Sequence, residues 1–121
     1  PCLYFEINPE GIDYGFFFYH PRPAAMKEFR KRIAAKPDEF LAMIQKVEAD
    51  TGLSVYAEHY KRPEACPNPE LERFYLWKEK IGCTIHEDFS DGTFGPALAQ
   101  RVRNFLTKLI PLYDYFNFFK V

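Results

Sequence analysis

The sequence predicts an α+β domain: a mainly antiparallel, curved sheet led by an N-terminal β-hairpin, with helices packed mostly on one face and a long C-terminal helix. Three observations carry this. Residues 2–19 hold two apolar runs joined by Pro9-Glu10-Gly11. Two helical patterns, the second opened by Pro37, follow directly. From Pro96 onward, Leu98, Val102, Phe105, Leu109, Leu112 and Phe116 recur at spacings of four and three, the signature of an amphipathic helix.

Residues 2–8 alternate, with Leu3, Phe5 and Ile7 on one side and Tyr4, Glu6 and Asn8 on the other, as in a half-buried strand. Pro9 suits the second position of a turn, and Gly11 suits a left-handed residue closing it. The return strand, 12–19, carries three consecutive Phe, which places aromatics on both faces and predicts a central or doubly covered strand. Pro21 and Pro23 end the pairing because proline has no N–H for a ladder.

A helix over 24–35 puts Met26, Phe29 and Ile33 on one face. Pro37 opens a second helix with Phe40, Leu41, Ile44 and Val47 inward, and Gly52 is placed to end it. Residues 53–61 alternate again and read as a third strand. The prolines at 63, 67 and 69 mark a loop, and Asn68-Pro69 should cap a short helix running to about Lys78. Lys80 to His86 reads as a fourth strand, and Asp91-Gly92 as a turn. Pro111 should kink or split the last helix near Ile110, since it removes a backbone donor.

At 121 residues the chain fits one domain over 1–121, or the C-terminal part of a longer one. It opens on Pro1-Cys2 and enters strand sequence at once, so either an initiator Met has been removed or the chain is a piece of a longer protein. Aromatic residues reach 18%, and core packing is their simplest use. Sixteen basic and seventeen acidic residues give a net charge of -1, without the excess of Lys and Arg that nucleic-acid binding requires. Three widely spaced cysteines do not form a disulfide framework and point to a reducing, cytoplasmic setting. No run approaches the ~20 apolar residues of a membrane span. The sequence leaves the oligomeric state open.

Leu3-Tyr4-Phe5-Glu6-Ile7-Asn8-Pro9-Glu10-Gly11, then Tyr14-Gly15 and Phe18-Tyr19, resembles the start of a recurrent stretch in the uncharacterised family called domain of unknown function 2461. Met26, Phe29-Arg30 and Ile33 fall where that family has its first helix. Lys61-Arg62-Pro63 is similar to its Lys-Arg-Pro loop, Leu71 to Lys78 to its short helix, and Pro111 to Phe116 to its C-terminal end. Phe17 stands where the family often repeats a glycine. The resemblance covers nearly all of this chain but only the later part of a family member. Family proteins begin with a helical segment and an Arg-Phe…Asp-Lys…Pro-Tyr-Lys stretch, so it implies that a site here is part of a larger one. It brings no established activity.

The candidate chemistries are few. His59, Cys66, Cys83 and His86 could supply two Cys and two His for zinc, but no Cys-x-x-Cys pair is present. Cys83 and His86 are three apart, which on a strand means opposite faces, so no metal and no cofactor is expected. Cys66 with His59 could form a nucleophile and base, although no nucleophile signature surrounds the cysteine. Glu6, sharing a strand face with Tyr4, is the weak catalytic candidate for a hydrolase, with Glu58 and Glu87-Asp88 as further carboxylates.

The reading with most physical content is an anionic small-molecule site. Arg30, Lys61, Arg62 and Lys78 would supply the cations, with Tyr4 and Tyr19, beside Tyr14, as an aromatic wall. The plainer reading is that Lys61 and Arg62 balance Glu58 and Glu64 on the surface. A protein-interaction module is the third alternative, and a large exposed apolar patch would favour it.

Overall fold

The structure, a computed structural model, describes residues 1–62, 65–90 and 94–117. The hairpin forms as expected. Strand β1 (Cys2–Asn8) pairs antiparallel with β2 (Gly11–Phe18) in one unbroken register from Cys2 opposite Phe17 to Asn8 opposite Gly11. Asn8 shapes the turn by accepting the Glu10 N–H at 3.0 Å on its side-chain oxygen. Strand β3 (Tyr56–His59) is shorter than its alternating pattern suggested, and β4 (Trp77–Asp88) is longer. All pairings are antiparallel in the order β1-β2-β4-β3, so β2 is an interior strand.

Helix α1 (Pro23–Ala35) and helix α2 (Pro37–Thr51) each begin on proline, where the absent N–H costs nothing. Gly52, at φ 71°, ends α2 by donating its N–H to Glu48 O at 2.9 Å. Asn68 caps the next segment through its side-chain oxygen, which accepts the Glu70 N–H at 3.0 Å. That segment is a 3-10 turn, Pro69–Leu71, and a one-turn helix, α3 (Glu72–Tyr75). It stops well before Lys78, because Trp77 already belongs to β4 and fills the core. Burial of that indole outweighs the helical preference of its polar neighbours.

The C-terminal helix is split rather than continuous: α4 (Leu98–Lys108) and α5 (Ile110–Phe116) meet at Leu109, with Pro111 in the first turn of α5. The turn expected at Asp91-Gly92 lies outside the described residues.

The core lies on one face of the sheet. Ile12, Tyr14, Phe16 and Phe18 of β2 and Trp77, Ile81 and Cys83 of β4 alternate onto it. Phe29 of α1 stacks parallel to Trp77 at 6.0 Å between centroids and meets Phe116 at 5.3 Å, while Phe40 of α2 packs edge-on to Phe74 at 4.7 Å. No helix among the described residues is long and apolar enough to cross a membrane.

The two edges of the sheet differ. On β3 the register shifts twice within four residues, and Lys80 of β4 takes up a left-handed φ of 54° there. Such irregularity blunts an edge. Strand β1 has no irregularity.

Candidate functional site

Two surfaces hold the side chains with chemical potential. The first is the sheet face away from the core. Direct cross-strand partners share a face, so the register sets the rows: Glu6–Asp13–His86, then Tyr4–Gly15–Thr84, then Cys2–Phe17–Gly82–Tyr56. The glycines make this face flat enough for rings to lie on it. A Cβ on Gly82 would come within 2.7 Å of the Tyr56 ring and 2.9 Å of Phe17. The Tyr56 hydroxyl reaches Thr84 Oγ1 at 3.3 Å. Partial burial, followed by the charges of Tyr56 and Asp13, holds the Tyr4 phenol above its ordinary pKa.

At the hairpin end of this face His86 sits between two carboxylates. Its Nδ1 lies 2.8 Å from Asp13 and its Nε2 2.7 Å from Asp88, and these hydrogen bonds raise its pKa, Asp13 contributing first. Asn8 donates its amide to the other oxygen of Asp13. Glu6 lies directly opposite Asp13 and has no hydrogen bond or ion pair among the described residues.

On the core side of the same strand ends, Tyr14 donates to Glu87 at 2.6 Å and Arg101 of α4 donates to Glu87 at 2.9 Å. Burial and the Glu87 bond push the Tyr14 phenol up to about 12, while Tyr14 and Arg101 hold the Glu87 carboxyl below its usual range. This trio ties α4 to β2 and β4.

The second surface is an apolar groove of about 560 Å³ between β1 and α4. Leu3 and Phe5 form its floor, and Leu98, Val102, Leu106 and Ile110 form its wall. Helix α4 packs on β2, so the apolar side of β1 projects past it: Phe5 is 43% and Ile7 60% exposed. Sequence reasoning read one stripe on α4 where there are two. Phe105 and Leu109 enter the core, whereas Leu98 and Val102 turn to the groove. The extra width of the apolar arc, including Leu106 and Ile110, was the available signal.

The residues proposed for an anionic ligand occupy distinct places. Arg30 is buried on the helix side, its guanidinium 5.4 Å from the Tyr60 ring centroid, and Lys61 and Arg62 follow Tyr60 as exposed residues. Lys78 is exposed on β4. Tyr4 and Tyr19 lie on the open face, Tyr19 against Phe17 at 5.8 Å with Lys80 Nζ at 5.8 Å from its ring. Tyr14 faces the core.

Pro63 and Glu64 lie outside the described residues. Cys83 is buried and His86 exposed on opposite faces of β4, Cys66 donates its thiol to Asn68 O at 2.9 Å, and His59 is exposed on β3. Among the described residues no three His, Cys, Asp or Glu side chains converge to hold a metal ion.

Comparison with curated proteins and with solved structures returned no match. A family model does match: over residues 1–115, nearly the whole fold just described, the chain belongs to the family described as Conserved hypothetical protein (DUF2461).

Proposed function

We propose that this domain is a protein-interaction module whose docking surface is the groove between β1 and α4. The observation that supports it is an apolar channel running beside a straight edge strand, with Phe5 and Ile7 exposed on that strand. Exposed large apolar groups in a contiguous patch, rather than scattered singly, mark a surface meant to be covered. Phe5 and Ile110 line the groove and are 43% and 44% exposed, so Phe5→Glu and Ile110→Glu should fold normally. Proteins retained by the immobilised wild-type chain should be lost by both variants at unchanged melting temperature. Equal retention by the variants overturns the reading.

A second reading, a binding domain for an anionic small molecule, is supported by the corner where Arg30 lies over Tyr60 and the exposed Lys61 and Arg62 follow. Lys78, Tyr4 and Tyr19 would have to join it from the sheet. Pyrophosphate should then raise the melting temperature of the wild type and not of Arg62→Ala. The hydrolase alternative rests on Glu6, whose row on the open face supplies Asp13 and His86 as neighbours.

A further inference from the structure

Independently of the docking reading, we infer that His86 is a proton-operated clasp on the hairpin end of the sheet. Charged, its ring bridges Asp13 of β2 and Asp88 at the end of β4. Neutral, it stays on Asp13, releases Asp88 and turns Nε2 outward as a basic nitrogen. The donor count supplies the first argument. Nδ1 lies 2.8 Å from an Asp13 oxygen and Nε2 2.7 Å from an Asp88 oxygen. An ionised carboxylate only accepts, so both ring nitrogens must carry hydrogen, and the closed arrangement belongs to the imidazolium. A neutral ring has one N–H and can keep one of the two bonds. At the other nitrogen a lone pair would face carboxylate oxygen.

The inequality of the two carboxylates decides which bond survives. Asp13 is 29% exposed, its other oxygen accepts the Asn8 amide, and it stands directly opposite His86 on the interior strand β2. Asp88 is 85% exposed and ends β4, two residues along the same strand from His86. Parting from Asp88 needs only the turn of an exposed side chain. Parting from Asp13 leaves a half-buried carboxylate facing Glu6 with one donor fewer. The Asp13 bond is also the first cause of the raised His86 pKa, and the Asp88 bond the second. The neutral ring therefore keeps its hydrogen on Nδ1, the tautomer being set by the partner of that nitrogen.

Charge supplies the third argument. The groups on the ring's side of the sheet are Asp13 from β2, Glu6 beyond it on β1, and Thr84 and Asp88 from its own strand. Tyr14, Glu87 and Arg101 bond to one another on the other side of the same strand ends. Glu6 and Asp13 are like charges directly opposite, and the imidazolium offsets that repulsion as well as bridging the two aspartates. Because its bonds raise the folded pKa, the clasp is closed below the ordinary histidine value and opens as pH rises through the raised one. Ion pairs this exposed change an equilibrium by only about threefold, so the clasp shifts a local population and leaves the sheet folded.

The test is a pH titration of the 121-residue chain followed by nitrogen-15 NMR, which tells the two ring nitrogens apart. His86 should lose its proton from Nε2 and keep it on Nδ1. The Asp88 carboxyl and the amides of Gly11 and Asp88, the last pair of the β2–β4 ladder, should shift with the same midpoint. Asp88→Asn, at an exposed position, should keep the Nδ1–H tautomer and lower the midpoint less than Asp13→Asn does. Asp13→Asn should pass the remaining proton to Nε2. Loss of the wild-type proton from Nδ1 overturns the inference, because the ring would then hold Asp88 and release Asp13. Gly11 and Asp88 signals that stay still through the His86 midpoint overturn it too, because the strand end would not feel the ring. Neither result bears on the groove, whose test is partner retention.

Discussion

Three glycines of this chain should respond very differently to alanine, and the structure ranks them. Gly15 sits in β2 at φ 150°, and an added Cβ would lie 2.3 Å from Cys83 O and 2.7 Å from Thr84 Cα, both backbone atoms of β4. A backbone conformation that side chains rarely adopt costs about 1–3 kcal/mol. Relieving the clash means moving β4 away by roughly 1 Å, which weakens at least one ladder bond worth about 1 kcal/mol. The expected loss for Gly15→Ala is therefore about 3 kcal/mol.

An unfolding entropy of about 2.1 cal/mol/K per residue over 121 residues converts this to a drop of about 12 °C in melting temperature. Gly82→Ala meets only the ends of the Tyr56 and Phe17 side chains, which can swing outward, so it should cost about 1 kcal/mol, mostly the Tyr56–Thr84 bond. Gly52→Ala meets no atom within 4 Å and carries only its left-handed φ of 71°, again about 1 kcal/mol. Circular dichroism melts of the three variants decide the matter. A Gly15→Ala protein melting within 2–3 °C of the Gly82→Ala protein would refute the close approach of β2 to β4.

Tyr14→Phe should cost about 2 kcal/mol by urea titration, because it removes a bond to a charged carboxylate. The Glu87 pKa is lowered in the folded state, so its stabilisation is complete above the ordinary carboxylate range and fades as pH falls through the lowered value. Glu87→Gln should flatten that acid limb. For His86 the sign reverses: its raised pKa means stabilisation present below the ordinary histidine value and lost as pH rises through the folded one. An imidazole NMR titration should give a midpoint above the ordinary value, moved down by Asp13→Asn; an unmoved midpoint removes Asp13 as the main cause. Phe29→Ala should cost about 3–5 kcal/mol and alter the emission of Trp77, the single tryptophan, against which Phe29 stacks.

Much of the architecture was legible where the deciding chemistry is local. Pro9 to Gly11, Pro37 to Gly52 and the break at Pro111 are each set by residues adjacent in sequence, and each appears where the pattern placed it. The end of α3 was not legible, because Leu76-Trp77-Lys78 prefers a helix until the core claims the indole. Nor was the insertion of β4 between β2 and β3, which depends on the glycine-mediated approach of Gly15 to Cys83 and Thr84. Glu6 and Tyr4 were correctly read as sharing a face, since strand parity is a local property. The groove escaped notice because dividing the α4 apolar residues between core and groove requires knowing that the helix packs on β2 and leaves β1 projecting.

The strand order also has a kinetic consequence. β1 and β2 are joined across two residues, whereas β2 must find β4 across residues 19–76. For a flexible chain the longer closure costs about 3 kcal/mol more in entropy. Helices α1 and α2 lie in that interval, and their prior formation shortens it, with Phe29 of α1 arriving against Trp77 at the start of β4. The expected transition state has the α1–β4 contact formed early. Substitutions at Phe29 should then slow folding, while substitutions in β1, which can join by a short turn at any stage, should chiefly speed unfolding. Stopped-flow chevrons of the two classes would show it: an unchanged folding limb for Phe29→Ala would mean that the sheet closes before the helices dock.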